Sequence, residues 1–152
     1  MALFTPHRNP AATIASPIKA YKTNTIERAY RGEGFFWGLM PQAGDTIEFH
    51  FEQPQRLQGY RVRSGNLEHP SDLLYDTLVE VLPAPQGPNG AAAAGRYVTV
   101  GRFDELGVAE AKLRPDELGP LASVRLNIQG SSKNWVIISE VLATTYRVAN
   151  FP

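Results

Sequence analysis

Thr46-Ile47-Glu48-Phe49-His50-Phe51 alternates polar and apolar residues without a break. On a β-strand successive side chains point to opposite faces, so Ile47, Phe49 and Phe51 share one face and Thr46, Glu48 and His50 the other. The same alternation returns at Tyr60/Val62, Val79/Val81, Val98/Val100 and Val124/Leu126/Ile128. The run from Trp135 to Leu142 is apolar on both parities, the pattern of a central strand covered on two sides. No long helical period competes, although the stretch from Glu105 to Lys112 has room for one short helical turn. Short strands punctuated by twelve prolines and thirteen glycines argue for an all-β chain, an antiparallel β-sandwich of the jelly-roll type.

A length of 152 residues suits one domain whose core needs no metal or disulfide to hold it. Fifteen basic and fifteen acidic residues cancel, which removes the electrostatic footprint of a nucleic-acid binder or of a protein held on anionic lipid. The absence of cysteine excludes disulfides, thiolate metal sites and a cysteine nucleophile, and says little about compartment. No segment approaches the roughly 20 apolar residues of a membrane span, and the N-terminus lacks a signal-like apolar run, so a soluble chain is expected. Residues 1–17, with Pro6, Pro10 and Pro17 and no periodicity, read as a surface leader, and the sandwich domain as residues 18–152. The Pro/Gly/Ala-rich segment 84–95 reads as a flexible inter-strand loop; as a domain linker it would leave a C-terminal piece with unpaired strand edges.

Motifs of the common enzyme classes are missing: there is no Walker loop, HExxH, GxSxG or dinucleotide-binding GxGxxG. His7, His50 and His69 are poorly spaced for zinc, and no loop is dense enough in acids to predict a structural calcium. No metal or cofactor is therefore expected. What the chain does concentrate is polar chemistry: Arg63, Ser64, Asn66, Glu68, His69 and Asp72 fall in one short loop, with Gly65 allowing a tight turn and Pro70 fixing direction. Any one of those acids taken alone reads best as a turn cap or a solvated charge; the cluster is what points to a ligand. Such a set suits a sugar, because an ionised carboxylate accepts from two adjacent hydroxyls while an amide both donates and accepts. Asp72 is the expected hydroxyl acceptor, His69 and Asn66 its supporting partners, and Glu68, Arg63 and Ser64 its surroundings. Aromatic rings supply the other half of sugar recognition: the candidates are Trp37, Phe35, Phe36, Tyr75 and Trp135, most of them expected in the core, with Tyr75, just past the loop, the least committed to packing. A hydrolase would need two carboxyls set across a cleft, which Glu68 and Asp72 on one exposed loop do not provide.

Longer strings carry more: GEGFFWGLMPQAGD (32–45), SGNLEHPSDLL (64–74), TLVEVLP (77–83), GRF with GVAEA (101–111) and NWVIISEV (134–141). In these the chain, from about Ser16 to Ala143, resembles the C-terminal domain of the N-acetylglucosaminyltransferase IV family, enzymes that start the β1,4-linked GlcNAc branch on the α1,3-mannose arm of N-glycans. The resemblance implies a galactose-binding-like sandwich similar to family 32 carbohydrate-binding modules, and a non-catalytic lectin module that reads terminal GlcNAc. The family's HPGD string stands here as HPSD, which carries the sugar-recognising acid onto Asp72 and puts Ser71 where the family has glycine. Arg63 stands where the family has histidine before the SGN string. The partners implied are a GlcNAc-terminated glycan and a glycosyltransferase catalytic domain. The rival reading is a protein-interaction module that docks such a domain, and the compartment that would go with excision from such an enzyme is the Golgi lumen.

Overall fold

The stretch 46–51 opens the long third strand of the protein, and the strands read from alternation all recur in the computed structural model, which describes residues 9–85 and 95–145. The described strands are β1 (Ala12–Ala15), β2 (Phe36–Gly38), β3 (Thr46–Gln55), β4 (Leu57–Ser64), β5 (Thr77–Pro83), β6 (Val98–Arg102), β7 (Val108–Lys112), β8 (Leu121–Ile128) and β9 (Val136–Thr145). They form a five-stranded sheet ordered β1-β3-β8-β5-β6 and a four-stranded sheet ordered β2-β9-β4-β7. Every pairing is antiparallel. The inner faces meet in a core of Ile47, Phe49, Val79, Leu126 and Ile128 from one sheet and Phe36, Tyr60, Val62, Val136 and Ile138 from the other. The alternating residues thus sit where the period places them, and the outer faces carry the polar partners. Among the described residues no helix is long and apolar enough to cross a membrane.

The structure corrects the sequence reading at four places. Residues 9–17 are not a loose leader: β1 pairs with β3 from Ala12↔Phe51 to Ala15↔Glu48, and Asn9 Nδ2 donates to the carbonyls of Tyr30 (2.7 Å) and Val141 (2.8 Å). Four residues with one large apolar side chain, Ile14, are too weak a pattern to read, and pairing on an edge is what makes them a strand. Residues 1–8 and 86–94, the rest of the leader and most of the expected loop between β5 and β6, lie outside the described residues, while Ala84 at its start is buried with its N–H donated to Pro120 O. The segment Glu105–Lys112 is a turn and a strand, because the Asp104 carboxylate accepts the N–H groups of Leu106 (2.9 Å) and Val108 (3.0 Å) and so closes a local turn ahead of β7. Finally, α1 (Ile26–Arg31) buries Ile26, Ala29 and Tyr30 and ends on Gly32 at φ 72°, a left-handed cap that glycine adopts without strain.

Candidate functional site

Loop 65–76 crosses from β4 in one sheet to β5 in the other, as expected of a polar loop clamped between core strands. Its ends are bolted down by backbone: Gly65 N–H donates to Ile137 O (2.8 Å) and Ile137 N–H to Asp72 O (3.0 Å), so the loop continues the β9 ladder. Gly65 sits at φ 74°, and a Cβ there would lie 2.6 Å from Leu73 Cδ2, so only glycine fits the turn. Ser71 is not among the positive-φ residues, so serine strains nothing at that position.

The loop closes over one edge of β2 and β9. Phe36 points into the core, and by alternation Trp37 points out, where His69 packs on it at a 4.7 Å ring separation. Tyr21 is brought to the same place because its N–H donates to Trp37 O (2.7 Å) and Trp37 N–H donates to Asn24 O (2.9 Å), extending the sheet edge by a turn of chain. Tyr21, Trp37 and Trp135 meet edge to face, with centroids 5.0–5.3 Å apart. They wall a depression of about 470 Å³ completed by Ser71, Asp72 and Asn134. Among the described residues nothing donates a hydrogen bond to the Asp72 carboxylate, whose backbone N–H and C=O are both engaged. Trp37 Nε1 is a second polar atom with no hydrogen-bond partner among the described residues, and it is buried.

Of the residues singled out from the sequence, Asp72 lines this depression and His69 backs it. The others are elsewhere or otherwise employed. Asn66 Oδ1 accepts the His69 N–H at 2.7 Å, which shapes the loop. Ser64 is buried, donating to Gly107 O (2.6 Å) and accepting from Leu74 N–H (2.8 Å). Arg63 lies on the outer sheet face beside Glu140, and Glu68 and Tyr75 are exposed away from the depression's lining. The residues that sequence reasoning undervalued are Trp37 and Trp135, candidates expected to be mostly core, and Tyr21 and Asn134, which it did not weigh. The adjacent rings of Phe35, Phe36 and Trp37 did signal that one faces outward, since neighbours in a strand cannot share a face. Ser64→Ala is expected to strand the buried Leu74 N–H and cost about 1–3 kcal/mol of stability. Its melting temperature should fall by several degrees; an unchanged melting temperature would show that the Ser64 hydroxyl does not hold the loop.

Residues 12–140 match the family model described as the MGAT4 C-terminal domain. The chain belongs to that family. It is 44% identical over 154 aligned residues to the human alpha-1,3-mannosyl-glycoprotein 4-beta-N-acetylglucosaminyltransferase B, covering 92% of this chain and 28% of that protein. The corresponding A enzyme of Rattus norvegicus is 38% identical, with 89% of this chain and 27% of that protein covered. The chain therefore spans little more than a quarter of the length of the relatives it matches. In shape this MGAT4 C-terminal domain is similar to the lectin domain of lectinolysin complexed with Lewis B antigen (TM-score 0.59, 12% identity, 93% of this chain and 95% of that one). It is also similar to CBM32 domains of Clostridium perfringens ZmpB in complex with GalNAc (TM-score 0.57, 17% identity, 89% and 33% covered). A third likeness is CBM32-4 of a Clostridium perfringens protein in complex with glcNAc-alpha-1,4-galactose (TM-score 0.54, 10% identity, 90% and 91% covered). At these identities the likeness establishes the galactose-binding-like sandwich.

Proposed function

We propose that the chain is a non-catalytic carbohydrate-binding module that recognises a terminal GlcNAc-type sugar in the depression walled by Tyr21, Trp37 and Trp135. The observation that carries this reading is the Asp72 carboxylate, which has no protein donor among the described residues and lines the depression beside its three aromatic rings. A carboxylate so placed accepts two sugar hydroxyls, and the rings take the apolar face of a pyranose or the methyl of an acetamido group. Asn134 at the rim supplies both donor and acceptor. Relatives whose names describe N-acetylglucosaminyl transfer to mannosyl-glycoproteins, and structural neighbours solved with GalNAc, Lewis B and glcNAc-alpha-1,4-galactose, support a glycan as the partner.

Among the described residues Asp72 is the one acid in the lining, which speaks against glycoside hydrolysis by a pair of carboxyls. No cofactor or metal is needed for such recognition. The natural companion is a glycosyltransferase catalytic domain and the natural compartment the Golgi lumen. GlcNAc has about 15 heavy atoms, and at about 0.3 kcal/mol per atom the affinity is near millimolar, so tethering to the catalytic domain would give the module its effect. Titrating GlcNAc, with mannose and galactose as controls, while following backbone amide NMR shifts is expected to move residues 21, 37, 71–72 and 134–135 with GlcNAc alone. No shift at tens of millimolar sugar would overturn the reading.

A further inference from the structure

Two of the rings that wall the depression are held by the four-stranded sheet. Trp37 lies in β2, where it pairs with Ile137 of β9, and Trp135 immediately precedes β9. Tyr21 lies outside the named strands, in a turn ahead of α1 that Asn24 N–H closes by donating to Tyr21 O at 3.0 Å. Backbone bonds to Trp37 fasten the two ends of that turn and leave its middle, Lys22 and Thr23, exposed. Lys22 stands at φ 53°, a left-handed conformation that a residue with a Cβ keeps only where its surroundings impose it.

A side chain of α1 reaches the middle of the turn. Arg28 Nη1 donates to Thr23 O (3.4 Å) and to Thr23 Oγ1 (3.3 Å), while its Nη2 donates to Glu33 O (3.2 Å). The guanidinium also lies along Gly34, where an added Cβ would stand 3.4–3.6 Å from Nε, Cζ and Nη2. Thr23 belongs to the segment that carries Tyr21, and Glu33 and Gly34 to the segment that leads into β2 and Trp37, so Arg28 bridges the two. Among the described residues no carboxylate lies within ion-pair distance of Arg28, and its donors go to these oxygens instead. A planar fork sends two N–H groups to separate acceptors at once, a geometry that the single ammonium of lysine does not reproduce.

We propose that Arg28 is a positioning residue of the sugar site: it clasps the Tyr21 turn to the entry of β2 and so holds the Tyr21 ring against Trp37 and Trp135 before a ligand arrives. The inference rests on the lectin reading above. Arg28 does not line the depression, so it acts through the wall and not on the ligand. Apparent affinity falls by the fraction of time a site spends in its binding arrangement. A wall assembled about a fifth of the time without the clasp therefore binds about fivefold more weakly. The fold itself depends little on Arg28, because its bonds are made at the exposed surface.

The test compares wild type with Arg28→Ala and Arg28→Lys by GlcNAc titration, by melting temperature and by the Tyr21 ring-proton NMR shifts of the ligand-free proteins. Trp37 and Trp135, with centroids 5.3 and 5.0 Å from that of Tyr21, displace those shifts from the values of a solvated tyrosine, so the shifts report whether the wall is assembled. Arg28→Ala is expected to melt near the wild-type temperature, to bind GlcNAc about fivefold more weakly and to move the Tyr21 ring protons toward solvated values. Arg28→Lys, which keeps the charge without the fork, should show part of the same loss, and it decides the matter should Arg28→Ala fail to fold. A merely structural arginine would lower the melting temperature and leave the affinity of the folded fraction and the ring shifts as they were, and that result would overturn the clasp. If wild type itself takes up no GlcNAc, the lectin reading fails and a role for Arg28 in binding fails with it. Unchanged ring shifts in a protein that does bind GlcNAc overturn the clasp alone.

Discussion

Asp72→Ala is expected to abolish measurable GlcNAc binding in a protein that melts at the wild-type temperature. Both halves of this outcome follow from how Asp72 is held. Its backbone secures the loop, with its N–H donated to His69 O at 3.2 Å and its C=O accepting from Ile137 N–H at 3.0 Å. Its carboxylate secures nothing in the protein among the described residues, so truncation removes no structural contact and should cost within about 0.5 kcal/mol of stability. Against a ligand the balance differs, because each charge-assisted bond to a hydroxyl contributes about 1.5–3 kcal/mol. Losing two of them weakens binding by about a hundredfold or more, which takes a near-millimolar affinity out of range. Asp72→Asn, which keeps the shape and one acceptor oxygen, should lie between. Wild-type affinity in the alanine variant would move the recognition away from this loop.

The strands were legible because nearly every one buries a single face. In β3, β5 and β8, Ile47/Phe49, Val79/Val81 and Leu126/Ile128 stand on the core side, and alternation alone locates them. Where the pattern failed, a local cause is visible. The continuous apolar run at 136–138 is buried on both parities because loop 65–73 lies over Ile137, while from Ser139 onward the outer face of β9 opens and carries Glu140. The α1 helix shows Ile26, Ala29 and Tyr30 at helical spacing, but one and a half turns give too few residues for a period to stand out from chance.

The candidate site was legible only in its acid. Asp72 sits in a contiguous polar string, whereas the aromatic wall is assembled from Tyr21, Trp37 and Trp135, far apart in sequence and joined by backbone bonds at the sheet edge. The clustering that drew attention to Ser64 and Asn66 had a different cause. Both are turn-forming residues that pin the loop which presents Asp72, and a sequence does not separate the residues that build a loop from the one that the loop presents.

The largest loss of stability is expected far from the aromatic depression, at Arg125→Ala on the outer face of the five-stranded sheet. Glu80 stands opposite Arg125 in the β5–β8 register, with its side chain only 11% exposed. One of its oxygens, Oε1, accepts from Arg125 Nε (2.9 Å) and Asn127 Nδ2 (3.0 Å) and lies 2.8 Å from Arg125 Nη2. The Arg125 guanidinium in turn lies 3.8 Å from the centre of the Tyr97 ring, whose hydroxyl bonds Ser123 Oγ at 2.7 Å, so the Tyr97 ring covers the guanidinium. An intact buried pair adds little net stability, since desolvating both charges offsets their attraction. Removing one partner is another matter. Without Arg125 the Glu80 charge keeps one neutral donor in a nearly dry site, at a cost of about 3–5 kcal/mol, which lowers the melting temperature by roughly 10 °C or more. Pairing the change with Glu80→Gln removes the stranded charge and keeps the Asn127 bond, so the double variant should recover most of the loss. If single and double variants melt together, the penalty lies in lost packing over Tyr97 rather than in the charge. GlcNAc affinity measured on the folded fraction should be the same in all three proteins, because the pair and the aromatic depression belong to different sheets.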